Sequence, residues 1–194
     1  KILDIVKTES LNLRDKFSDD RRTEISDVAG EVDIEDLIPE EECVITKTEN
    51  GYIKRLASDT YNVQHRGGRG ITGMTTREED NVENMFVCSS HDRIMLFSNL
   101  GRAYKLKAYE IPEGSRTAKG LNIINILPLM PGEKINIILP VTEEDENERF
   151  ICMITKKGVI KRTRLSAFRN TRRNGIIAVN IDEGDELAHV RMTG

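Results

Sequence analysis

The chain has 194 residues and a formal net charge of −4, with three cysteines, no tryptophan and only 5% aromatic residues. That length suits one domain, or one domain with an attached piece, and neither a run of 18 apolar residues nor a signal-peptide apolar core over residues 1–6 is present; a cytoplasmic protein is expected. Cys43, Cys88 and Cys152 are odd in number, far apart and set in apolar runs, which argues against a disulfide framework and for buried thiols.

Ile2, Val6, Leu13 and Phe17, helped by Leu3 and Ile5, recur at helical spacing, and no Gly or Pro intervenes before Gly30. The chain is therefore predicted to begin in a helix. From residue 18 to residue 42 eleven acidic residues stand against Arg21 and Arg22 alone, and with Pro39 the stretch 26–40 reads as an acidic linker. Asp33, Glu35 and Asp36 read as solvated charge in that linker rather than as a magnesium site.

Beyond residue 40 the sequence compares with itself. Gly51, Gly101 and Gly158, spaced by 50 and 57 residues, each separate two short apolar runs: residues 44–48 from 52–55, 94–98 from 102–105, and 151–155 from 159–162. Each reads as a strand, a tight turn and a strand. An aromatic follows at Tyr61, Tyr109 and Phe168, then a basic loop ending in Gly70, Gly120 or Gly175. A third apolar stretch comes next (71–74, 121–129 and 176–181), then an acidic turn containing Asp80, Glu133 or Asp185, and a fourth strand. The fold expected is mainly β, built of repeated four-stranded blades over 41–84, 85–141 and 142–194. Three such blades do not close a ring, so the chain is expected to be part of a longer polypeptide.

The first basic loop is the most pointed: Gln64, His65, Arg66, Gly67, Gly68, Arg69 and Gly70. Glycine lets main-chain N–H groups approach a ligand, and arginine carries a planar fork of donors matched to phosphate oxygens. The corresponding loops carry Arg116 and Lys119, then Arg172 and Arg173; the hairpins add Lys54, Arg55, Arg102, Lys105, Lys161 and Arg162 at matching places. Any one of these alone reads as a solvated strand face, but together they keep the phase of the repeat, and stacking would align them on one curved rim. The overall acidity does not exclude a polyanion, since residues 149–173 hold nine basic residues and no acidic one.

Other chemistry finds little support. His65, His91 and His189 lie in different units without a Cys or carboxylate at ligand spacing, so no metal site is expected, and His91 with Asp92 reads as a turn between strands. Cys152 occupies the strand position of Ile45 and Met95, which marks it as core rather than nucleophile. With so few aromatics, stacking on single-stranded bases is disfavoured against binding a duplex backbone.

Arg21-Arg22-Thr23-Glu24-Ile25 after the helix, the acidic linker, Gly51-Tyr52-Ile53-Lys54 and the loop at 64–70 together resemble the A subunits of bacterial DNA gyrases, over essentially the whole chain. In that family the seven-residue element Gln-Arg-Arg-Gly-Gly-Lys-Gly is the gyrase A box of a C-terminal β-pinwheel that wraps DNA; this chain differs at His65 and Arg69. The resemblance implies that residues 1–25 end the breakage-reunion domain and that 41–194 hold about three pinwheel blades. The partners it implies are double-stranded DNA, a second A subunit, and the gyrase B subunit, with a place beside the bacterial nucleoid. ATP and Mg would act on other parts of the whole type II topoisomerase. No catalytic residue, cofactor or metal is expected in this segment. The rival readings are the A subunit of a topoisomerase IV, and a propeller that only docks proteins.

Overall fold

Glycine at positive φ sets the hairpins, and the computed structural model shows how the surrounding side chains hold each one closed; it describes residues 1–19, 23, 34–58 and 80–194. Gly51, Gly101 and Gly158 have φ of 81°, 73° and 88°, a region open to glycine and costly for other residues. Each donates its N–H to the carbonyl three residues back, in Thr48, Ser98 or Thr155. The hydroxyl of that same residue then accepts the N–H of Tyr52, Arg102 or Val159 at 3.1–3.2 Å. Three turns of different sequence thus share one hydrogen-bond pattern.

The acidic turns lock the hairpins from behind. Asp80, Glu133 and Asp185 are 3%, 6% and 6% exposed. Asp80 Oδ1 accepts from the Asn50 N–H, and Asp185 Oδ1 from the N–H groups of Lys157 and Glu186. Glu133 departs from this by accepting from the Met130 N–H and the Tyr104 hydroxyl. The residue after each carboxylate (Asn81, Lys134 or Glu186) accepts an N–H from Glu49, Asn99 or Lys156 of the turn.

The strands are β1 (Glu42–Thr48), β2 (Tyr52–Ala57), β3 (Val82–Ser89), β4 (Arg93–Ser98), β5 (Arg102–Lys107), β6 (Leu121–Asn122), β7 (Ile135–Val141), β8 (Phe150–Thr155), β9 (Ile160–Arg164), β10 (Ile176–Ile177) and β11 (Leu187–Thr193). They form three antiparallel sheets, ordered β3-β1-β2-β6, β10-β5-β4-β7 and β11-β8-β9. The repeated-blade architecture is as expected, but the blades are not four consecutive strands. The third apolar stretch of a unit leaves its own sheet: β6 pairs with β2 of the unit before, and β10 pairs with β5. Only two residues of each stretch pair before the chain turns away. In the first case it enters a 3-10 turn at Ile123–Asn125, capped by the Asn122 side chain accepting from the Ile124 N–H. Strand β3 also runs across the division between residues 84 and 85 and belongs whole to the first sheet.

The middle sheet explains why the apolar runs lack simple alternation. On β4, Ile94 and Leu96 enter a core with Ile45, Ile53 and Tyr104, while Met95 and Phe97 enter a second core with Ile151, Leu165 and Phe168. Both faces of that strand are covered, so both sets of alternate residues are apolar. Phe168 meets the Phe97 ring edge-on at a centroid distance of 6.1 Å. In the first sheet Cys43 and Cys88 pair across β1 and β3, buried, with their sulfurs 3.7 Å apart. Cys152 is half-buried.

Two further elements complete the fold. Helix α1 (Ile2–Phe17) belongs to a separate compact unit, residues 1–34, and is described by itself. Asp4 sits in its first turn and Arg14 and Lys16 in its last, matching the helix dipole, and Ser18 ends it in extended conformation. Its apolar side chains, Ile2, Leu3, Ile5, Val6, Leu13 and Phe17, are exposed. Helix α2 (Glu143–Glu148) lies outside the repeat pattern, and Thr142 and Asp145 form a reciprocal capping box at its start. His91 and Asp92 do form the turn between β3 and β4: Asp92 accepts the Ser89 N–H at 2.8 Å, and His91 Nε2 lies 3.0 Å from the Ile38 carbonyl oxygen. No described helix is long and apolar enough to cross a membrane, and the described residues hold no cluster of metal-ligating side chains.

Two outcomes test this construction. A Cβ on Gly101 would lie 2.3 Å from the Val179 carbonyl oxygen, whereas one on Gly158 would meet nothing within 4 Å. Both substitutions to Ala incur the positive-φ cost of about 1–2 kcal/mol, so in urea unfolding Gly101→Ala is expected to destabilise distinctly more than Gly158→Ala. Equal losses would deny the contact between units. Burial pushes the Asp185 carboxyl up, but hydrogen bonds from the Thr155 hydroxyl and from the Glu186 and Lys157 N–H groups, with the Lys157 charge nearby, outweigh it and hold the group below its usual value. A lowered folded pKa gives stability that is full above the unfolded carboxylate value of about 3.9 and lost as pH falls through the folded one. The stability gap between the wild type and Asp185→Asn should therefore be constant near neutrality and close in strong acid; a gap that widens on acidification contradicts it.

Candidate nucleic-acid interface

A loop rich in glycine and arginine is only as useful as the surface that holds it. The loop at residues 64–70 and Tyr61 lie outside the described residues, but its two counterparts are described. The loop of the second unit rests on β2 of the first: the Arg55 N–H donates to the Pro112 carbonyl, and the Gly114 N–H to the Arg55 carbonyl, both at 3.0 Å. Gly120, at φ 81°, brings its backbone so close that a Cβ would lie 2.5 Å from the Ile53 carbonyl oxygen. The loop of the third unit rests on β5 of the second, again with a closely packed glycine. There Gly175, at φ 70°, lies against the Tyr104 ring and the Ala103 carbonyl, at 2.7 and 2.9 Å from an added Cβ. Gly120 and Gly175 are therefore docking residues, needed for close approach of one unit's backbone to the next.

The cations that the sequence groups together separate into two sets. Lys54 is fully buried, and its ammonium donates to the carbonyls of Ser115, Arg116 and Ala118 at 3.2, 2.6 and 3.1 Å. It is not a surface cation, because its strand position lies under the next unit's loop; burial pulls its pKa below the usual lysine value. Arg55 is paired with Glu41 at 2.8 Å and Glu113 at 3.7 Å, its side chain 12% exposed. Lys105 donates to the Arg169 carbonyl, and Arg102 to the Asn174 carbonyl and the Tyr104 hydroxyl. For Lys105, burial lowers the pKa first, with Glu146 opposing and Arg93, Lys107 and Arg169 adding to the lowering. These four side chains fasten loops to strands.

The second set faces solvent. Arg116, Arg172 and Arg173 are exposed on the crests of the two loops, and Lys119 lies half-buried with its ammonium 5.7 Å from the Tyr52 ring centroid. On β9, Arg162 stacks 3.9 Å over the Phe150 ring and donates to the Gly194 carbonyl, while Lys161 donates to the Ala178 carbonyl at 2.7 Å. Stacking of this kind leaves the guanidinium plane presented and its remaining donors available.

One cation group has no counterpart among the described residues of the other units. Glu146 of α2 is buried and takes Arg93 at 2.7 Å on one oxygen and Arg169 at 3.3 Å on the other, while Arg169 also donates to Asn147. Its signal in the sequence is faint, because Arg169 follows Phe168 where Glu110 follows Tyr109. The arrangement as a whole offers charge-assisted donors to phosphate oxygens on loops with a fixed backbone.

The profile of the DNA gyrase C-terminal domain, a β-propeller, matches the chain three times, over residues 44–89, 92–142 and 149–193. The DNA gyrase A subunit of Clostridium acetobutylicum is 51% identical over 193 residues, covering 100% of this chain and 23% of that protein. Its counterpart in Staphylococcus aureus is 47% identical over 194 residues, covering 99% of this chain, which thus spans under a quarter of the length of these curated relatives. Among solved structures, a DNA gyrase A C-terminal domain superposes with a TM-score of 0.61 at 25% identity, covering 79% of this chain and 48% of that one. The C-terminal domain of a DNA topoisomerase IV gives 0.69 at 23% identity over 80% of this chain and 47% of that one, a likeness of fold. The three profile matches follow the three sequence repeats, and the chain belongs to the DNA gyrase C-terminal domain family.

Proposed function

We propose that this chain binds and bends double-stranded DNA as the wrapping part of a gyrase A subunit, within a type II topoisomerase whose strand cleavage and ATP hydrolysis, with Mg, occur on other parts. The observation that carries the reading is the repetition of exposed arginines, Arg116 and then Arg172 with Arg173, on loops that each dock on the preceding unit through a positive-φ glycine. In the sequence repeat, Gln64, His65, Arg66, Gly67, Gly68, Arg69 and Gly70 correspond to these two loops. Contacts of this type go to phosphates and position a duplex without reading its bases. Bending 20–30 base pairs by 40–90° costs on the order of 1–6 kcal/mol, which successive units offset by adding contacts.

The partners that follow are double-stranded DNA, a second A subunit, and a gyrase B subunit, in the bacterial cytoplasm at the nucleoid. Identity near one half with gyrase A subunits supports this over the topoisomerase IV reading. Exposed arginine rather than an apolar patch on the loop crests supports it over protein docking.

Two experiments decide it. In a duplex-binding titration, log K is expected to fall linearly with log salt, and Arg116→Ala to reduce the slope by about 0.9, one phosphate, for every duplex sequence tried. A flat salt dependence or a strong sequence preference overturns the reading. Alanine replacement of residues 64–70 in the full-length protein, reconstituted with its B partner, is expected to abolish negative supercoiling while relaxation persists. Supercoiling that survives, or DNA cleavage that is lost with it, removes this loop from the wrapping role.

A further inference from the structure

We propose that Lys54 is a positioning residue for the DNA-contacting loop of the following unit: its buried ammonium gathers the carbonyls of Ser115, Arg116 and Ala118 and thereby aims Arg116 and Lys119 at the duplex without touching it. The proposal rests on the DNA-binding reading above. Its physical basis is the mismatch between what the residue is and where it sits. A lysine on an ordinary strand face keeps its ammonium in water, whereas Lys54 is 0% exposed and is held by three acceptors of one short turn. An ammonium has three donors and no acceptor, so it can organise three converging carbonyls, a geometry no hydrocarbon side chain satisfies.

The loop is shaped around this side chain. Gly114 lies 3.4 Å, measured from an added Cβ, from the Lys54 Cβ and Cδ, and Gly120 lies 3.2 Å from the Lys54 Cβ. Between these two glycines the Ala118 N–H donates to the Ser115 carbonyl, closing a turn with Arg116 exposed at its crest. Because the bond of 2.6 Å is to the carbonyl of Arg116 itself, the backbone from which that guanidinium projects is fixed. At the equivalent position of the next unit Tyr104 supports Gly175 with its ring and spends its hydroxyl on Glu133. The same place thus supports the following loop by two different chemistries, and in the first unit the support is an ionic group. Without it, the three carbonyls turn to water and the loop must be ordered anew each time DNA binds, a cost that pre-organisation removes.

The test is a cycle of variants of the full chain: wild type, Lys54→Met, Arg116→Ala with Lys119→Ala, and the triple variant. Each is titrated with a linear duplex of mixed sequence at several salt concentrations, with urea unfolding in parallel. Lys54→Met is expected to lower the salt slope by about 1.8, two phosphates, as the Arg116 and Lys119 double variant does. The triple variant is expected to lose nothing more, and amide exchange at residues 115–120 to quicken. A Lys54→Met protein that is less stable yet keeps the wild-type slope has lost only packing, and overturns the proposal. Losses that add in the triple variant overturn it too, since Lys54 would then act independently of the loop. Should Lys54→Met not fold, Gly120→Ala, which displaces the loop from the Ile53 carbonyl with Lys54 intact, must lower the slope in the same way; an unchanged slope there refutes loop placement as the determinant. If the wild-type chain fails to bind duplex at all, the DNA reading fails, and unchanged exchange at residues 115–120 in Lys54→Met separately refutes the positioning role.

Discussion

The backbone of an outer β-strand carries N–H and C=O groups along an edge that must find partners, and this requirement shapes the whole β unit. In the first two sheets the partner is the next repeat, which lays its basic loop against β2 or β5 and then lends two residues to the same strand. From that contact follow the glycines at 120 and 175, the buried ammonium of Lys54, and the carbonyls that capture Lys105 and Arg102. The loops that present arginine to solvent are consequently part of the mechanism that closes the sheets.

Polar groups specify this arrangement as much as apolar ones do. The buried carboxylates Asp80 and Asp185 accept turn N–H groups that would otherwise be orphaned, and Thr48, Ser98 and Thr155 satisfy others with a hydroxyl. Leaving such a donor buried and unpaired costs about 1–3 kcal/mol, so the three hairpins have little freedom to shift register. The apolar cores are more forgiving, and they differ in composition between the two interfaces of the middle sheet.

What the amino-acid order discloses follows the range of the physics involved. The hairpins are legible because a turn glycine between two apolar runs is a local signal, and the family resemblance rests on loops just as local. The exchange of strands is not legible, since a two-residue strand such as Leu121–Asn122 has no period to detect. Lys54 and Arg55 read as surface cations because lysine and arginine usually are; the path of a loop sixty residues later buries the one, and Glu41 together with Glu113 of that loop pairs the other. Helix α2 is announced only by the Thr142 and Asp145 box, and its six polar residues carry no apolar period that would set them apart from a loop. The end of α1 near Phe17 agrees with the sequence, and its exposed apolar face agrees with the helical spacing that suggests it.

The offset between repeat in sequence and blade in space bears on how such a chain can change length over evolutionary time. The second and third repeats each lend one strand, and the first and second each have one strand covered. Copying or deleting a whole repeat therefore leaves the tally of lenders and borrowers balanced inside the array, whatever the number of blades. A deletion ending between Lys107 and Leu121 would strand a borrower without a lender, although it removes no core strand of the sheet left exposed. A breakpoint within a loop thus carries a hydrogen-bonding cost that a whole-repeat change avoids.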